Sequence, residues 1–75
     1  MVTKLSKVKK NKSFKFVSIP DEKIRTQLIR FGIGEGSHAK CHQKLPFGPV
    51  VVKYQKQEIA LGREIANEIT IEDLV

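Results

Sequence analysis

The sequence predicts one small domain, mostly β, with a single short helix at about residues 22–31. Three observations predict it. The chain has 75 residues, too few for two independent cores. Runs of strand formers at residues 13–19, 37–44 and 50–54 are punctuated by Gly and Pro. One apolar stripe at helical spacing lies between Pro20 and Gly32.

Residues 1–11 read as a basic N-terminal arm and residues 12–75 as the domain proper. Leu5 and Val8 fall on one side of a helical turn and pin the arm. Asn11 stands where the chain bends into the first strand, and Asn accepts a positive φ more readily than other residues with a side chain. Within residues 13–19, Phe14 and Phe16 share one face while Val17 and Ile19 share the other. A strand that switches faces contains a bulge or a strong bend, as in small barrels.

Pro20-Asp21-Glu22 is a helix start, with proline in the first turn and acids at the positive end of the dipole. Ile24, Leu28 and Phe31 form the apolar stripe, leaving Arg25, Gln27 and Arg30 to solvent. Gly32 caps the helix and Ile33 packs back on its last turn. Gly34-Glu35-Gly36 is a turn. The second strand places Ala39 and Cys41 on one face and His38, Lys40, His42 and Lys44 on the other. Leu45-Pro46-Phe47-Gly48-Pro49 is a rigid connection to the strand at 50–54. Gln55-Lys56-Gln57 lacks tight-hairpin chemistry, so a longer, looser loop is expected.

The tail has two readings. Ile59, Leu61, Ile65, Ala66 and Ile69 fit an amphipathic helix over 57–69, which Gly62 in its middle would weaken by about 1 kcal/mol. They also fit a strand at 58–61, a helical turn at 62–66, and a strand at 67–72 with Ile69 and Ile71 inward. Periodicity does not choose between them.

The net charge of +6 is uneven. Residues 1–16 carry six lysines and no acid, whereas residues 57–75 carry Arg63 against five acids. Such a dipolar chain favours an anionic partner at its front end. No apolar run approaches the roughly 20 residues of a membrane span, and no signal peptide is visible at the start. The lone Cys41 has no partner for an internal disulfide. A cytoplasmic setting is therefore expected.

Catalytic chemistry finds little support. On a strand rising about 3.3 Å per residue, His38 and His42 stand roughly 13 Å apart and Cys41 points through the other face. The three cannot share one ion at ligand distances of about 2.0–2.3 Å. Cys41 beside His42 is no nucleophile–base dyad, for the same reason. Gly32, Gly34 and Gly36 follow a helix and do not open one, so their amides form no phosphate cradle. The expectation is no catalytic residue, no metal ligand and no cofactor. Lysines interleaved with Phe14, Phe16, Phe47 and Tyr54 keep nucleic-acid binding as the alternative, disfavoured because no recognition motif is present.

Four segments in order resemble the ferrous-iron transport protein A (FeoA) family. Leu5-Ser6-Lys7-Val8-Lys9-Lys10-Asn11 is similar to its opening, with Asn11 where glycine is more usual. Leu28-Ile29-Arg30-Phe31-Gly32-Ile33-Gly34-Glu35-Gly36 resembles its helix-end signature, and Pro46-Phe47-Gly48-Pro49 its proline-bracketed loop, here one residue shorter. Residues 59–69 resemble its closing segment, although glycine is missing around 55–57. The resemblance covers about residues 5–72 and implies a small SH3-like β-barrel of about five strands with one short helix. It also implies the strand–turn–strand reading of the tail.

The implied role is accessory to the FeoB-type ferrous-iron permease, a membrane protein with a cytosolic GTP-binding domain. The implied protein is non-enzymatic and cytoplasmic, and it reaches the inner membrane face. Expected contacts are Phe47 in the proline loop, Arg25 and Arg30 on the exposed helix face, and Lys9 and Lys10 toward anionic lipid. Similar barrels end some iron-dependent repressors, and with no DNA-binding domain read before the barrel that role is not expected.

Overall fold

The computed structural model describes residues 1–74. The strands are β1 (Val2–Lys4), β2 (Ser13–Ser18), β3 (His38–Lys44), β4 (Val50–Tyr54), β5 (Gln57–Leu61) and β6 (Thr70–Leu74). The helices are α1 (Glu22–Ile29) and α2 (Arg63–Glu68), with a 3-10 turn at Leu5–Lys7. The strands form one antiparallel sheet in the order β1-β6-β2-β3-β4-β5. Strands β1 and β5 are its edges. Inward residues of β2 to β6, together with Leu28 of α1 and Ala66 of α2, belong to a single buried cluster. A sheet whose strands share one core, within extents of 25 × 25 × 24 Å, wraps around that core.

The bend expected in the first strand is a bulge at Val17. Phe16 pairs with Ile71 and Ser18 with Thr70, so β2 carries one residue more than β6. The extra residue lets Phe14, Phe16 and Ile19 all point inward, fully buried, while Val17 turns to solvent. The Phe14 and Phe16 rings meet edge-to-face at 5.1 Å and 74°. A second bulge, at His42, separates the pairs Cys41↔Val52 and Gln43↔Val51. It breaks the expected alternation of β3, so Gln43 is exposed and Lys44 is half-buried.

Helix α1 begins where expected. The Asp21 carboxylate accepts from the Lys23 and Ile24 amides at 2.9 and 3.2 Å. Its regular part ends at Ile29, two residues before the expected boundary, and the chain closes through Gly32 at φ +84°. Ile33 N donates to Leu28 O, and Gly32 N to Ile29 O, both at 2.9 Å, the Schellman pattern. Leu28 and Ile33 are buried together beneath it. Phe31, placed on the apolar stripe by its spacing, is 43% exposed because the regular helix ends at Ile29 and tightens into 3-10-type bonds, Arg30 N to Gln27 O and Phe31 N to Leu28 O, before that position.

The tail is strand, helix, strand. Gly62 precedes α2 as its N-cap, where its cost is small, so the long helix that would bury it mid-span does not form. Ile69 and Ile71 are buried as expected, while α2 and β6 run two or three residues further than the sequence places them. The loose loop expected at 55–57 is instead a two-residue turn. Tyr54 pairs with Gln57, and Gln55 takes φ 57° without glycine. Five cross-strand pairs between β4 and β5 outweigh the local strain of one left-handed residue, about 1 kcal/mol.

The first residues of the stretch expected as an arm are built into the sheet. Val2, Thr3 and Lys4 pair with Glu72, Ile71 and Thr70, and Leu5 N donates to Ile69 O at 2.9 Å. Leu5 and Val8 are buried, which is how the segment is held, and β1 adds a sixth strand to the expected five or so. Asn11 has the anticipated positive φ, 70°.

Candidate docking surface

Phe47 lies at the tip of the β3–β4 connection and is 98% exposed. Gly48 N donates to Leu45 O at 3.0 Å across Pro46 and Phe47, and Phe47 has φ 59°, the pattern of a type II turn. That third position favours glycine. A Cβ on Gly48 would stand 3.0 Å from Leu45 Cβ, so the neighbouring position has little room for a larger residue. The guanidinium of Arg63 donates to Leu45 O at 2.7 Å and ties the loop to the start of α2. A large apolar ring is thus held in water, on strained backbone, by a braced turn. Neither burial nor backbone preference explains it.

Arg25 and Arg30, expected together on a free helix face, have different surroundings. Arg30 is exposed on a shallow depression with Glu22, Lys23, Thr26 and Gln27. Arg25 is half-buried, and its Nη1 donates to Ile19 O at 3.0 Å. Ile19 N donates in turn to Glu35 Oε2 at 3.0 Å. The β2 ladder stops here because Pro20 has no N–H, and two opposite side-chain charges take over the peptide groups of Ile19. Arg25→Ala is expected to lower stability by about 1–2 kcal/mol by stranding that carbonyl. Arg30→Ala should cost less than about 0.5 kcal/mol, and paired urea denaturations measure the contrast.

Lys9 and Lys10 are exposed in the turn before β2. Lys9 borders a recess with Lys7 and Lys12 that is separate from the Arg30 depression. The expected contact residues therefore do not converge on one concavity.

The sequence reading misses a groove of about 340 Å³ between α1 and the edge strand β5. Ile24, Phe31, Ala60 and Ile65 line it above the buried Leu28, Ile59 and Leu61. Its one local signal is Phe31, the stripe residue just before the capping glycine.

Cys41 is fully buried, and burial pushes its thiol up from the ordinary range, with Lys44 opposing weakly. A raised folded-state value means that stability is complete below the unfolded thiol's pKa and falls as pH rises above it. Thiol reagents should therefore modify the folded chain slowly and the urea-unfolded chain rapidly at pH 8. His38 and His42 are exposed, and His42 Nε2 stands 3.7 Å from Glu58 Oε1. No cluster of three or more potential metal ligands exists among the described residues.

Against this geometry, the FeoA domain matches residues 3–73. The crystal structure of an iron uptake regulatory protein, FeoA, superposes with a TM-score of 0.86 at 23% identity, covering 99% of this chain and all of that one. The solution structure of the FeoA protein from Chlorobium tepidum does so at 0.86 and 25%, covering 97% and 71%. A manganese-dependent transcriptional repressor shares the fold at 0.81 and 18%, with 97% of this chain on 42% of the repressor. Curated protein sequences include no match. These structures are consistent with the SH3-like architecture. With 71 consecutive positions matched, from Thr3 to Asp73, the chain belongs to the FeoA domain family.

Proposed function

We propose that this chain serves ferrous iron transport as a small accessory protein that docks on the cytosolic side of a FeoB-type permease. Membership of the FeoA domain family supports the iron-transport role. The observation that carries the docking reading is Phe47, 98% exposed on a turn that imposes an unfavourable φ on it. A rigid aromatic presented this way anchors in a partner's pocket at low entropic cost. Arg30 supplies charge on the helix face, while Arg25 keeps the strand end beneath that helix in place.

Docking changes the permease only insofar as the chain binds one of its states more tightly than another. Lys9 and Lys10 add attraction to anionic head groups, about 1 kcal/mol for each basic residue near the surface. No helix among the described residues is long and apolar enough to cross a membrane. The proposed protein is cytoplasmic, is drawn to the membrane by its partner, and has no bond-making step of its own.

The test is capture by the permease's isolated cytosolic domain, with wild type, Phe47→Ala and Arg30→Glu compared side by side. Loss in both variants is the expected result. Equal capture of all three chains overturns the assignment of this surface.

A further inference from the structure

We propose that the recess bordered by Lys7, Lys9 and Lys12 is a binding site for a phosphate group. It has a volume of about 230 Å³ and lies where the 3-10 turn, the start of β2 and the end of β6 come together. Thr3 and Ser13 add hydroxyls to its lining, and Asp73 adds one carboxylate. Three lysines against a single acid give the lining a net positive charge.

The arrangement is built on fixed backbone. Lys12 N donates to Lys9 O at 3.2 Å, across the left-handed Asn11. Asn11 N donates to Cys41 O at 2.7 Å, and Cys41 N donates to Lys12 O at 2.9 Å. Two of the three lysines therefore leave a short turn that is stitched to a central strand. Val8, between Lys7 and Lys9, is buried and holds its part of the rim.

Two lysines of the neighbouring strands are already engaged. Lys15 pairs with Glu72 at 3.3 Å and Lys4 donates to Thr70 at 3.3 Å. Among the described residues, Lys7, Lys9 and Lys12 have no ion pair. Like charges gathered at one recess repel each other, and an anion relieves that repulsion. Lysine ammoniums and hydroxyl donors together suit the oxygens of a phosphate.

That chemistry has two sources, a free phosphate ion or the phosphodiester of an anionic lipid. The inference deepens the lysine component of the docking proposal. Its test uses the chain alone, so its failure is distinguishable from failure to bind the permease.

The experiment follows amide shifts of the isotope-labelled chain at constant ionic strength. One arm adds inorganic phosphate against chloride. The other adds phosphatidylglycerol vesicles, with phosphatidylcholine vesicles as reference. Saturable changes confined to residues 3–13 and 73 are expected. The pair Lys7→Gln and Lys12→Gln should weaken binding by roughly tenfold or more, whereas Lys53→Gln with Lys56→Gln should leave it unchanged.

Response in the phosphate arm assigns the free ion. Response to anionic vesicles alone assigns the lipid head group. No response in either arm, shifts spread over all lysines, or equal loss in both double variants overturns the site. Unaltered spectra elsewhere in each variant show that folding is intact.

Discussion

Phe16→Ala is expected to remove a large share of the chain's stability at 25 °C. Phe16 is fully buried, meets Phe14 edge-to-face, and pairs across the sheet with Ile71 immediately before the bulge. Truncating such a phenylalanine costs about 3–5 kcal/mol, the transfer of the ring plus the cavity it leaves. By the usual scaling, a domain of this size has only about 4–11 kcal/mol in total. Phe16→Leu retains most of the volume and should cost less than about 1.5 kcal/mol, keeping the fold while shifting its urea midpoint. Circular dichroism through a urea series measures both. A loss below about 1 kcal/mol for the alanine variant would contradict a single close-packed core at this position.

Phe47 should behave in the opposite way. Its ring is in water, so Phe47→Ala is expected to change stability by less than about 0.5 kcal/mol. Phe47→Gly should raise stability by up to about 1 kcal/mol, because glycine adopts φ 59° without a Cβ clash. Both variants should lose at least about tenfold in permease capture, as a central aromatic anchor contributes about 2 kcal/mol or more. A chain made more stable and less able to bind would separate the two roles of the loop. Retained capture by the glycine variant would remove Phe47 from the docking surface.

Much of this follows from local pattern. Asp21 and Gly32 bracket α1 because a side-chain acceptor and a left-handed cap act within one turn of the helix ends. The face switch between Phe16 and Val17 marks the bulge, since side chains alternate strictly unless a residue is inserted. Phe47 stands out as a docking candidate because a proline-bracketed loop exposes its middle.

Other features have no local signature. Pairing β1 with β6 joins the two ends of the chain, and nothing near Val2 announces Glu72 as its partner. Arg25 looks solvent-facing by helical spacing, yet its length lets it reach back to the strand end left open by Pro20. Gln55 shows that cross-strand pairing can impose a tight turn on residues that do not favour one.

From the amino-acid order alone came the fold class, the bent first strand, the capped helix and the exposed aromatic. Each depends on interactions within a few residues. Only the tertiary structure decided that the basic front segment starts as a strand, that Arg25 is a brace, and that three lysines share a recess. Those outcomes depend on closing contacts between distant parts of the chain. Their free energy resides in the shared core, so no short window of sequence contains it.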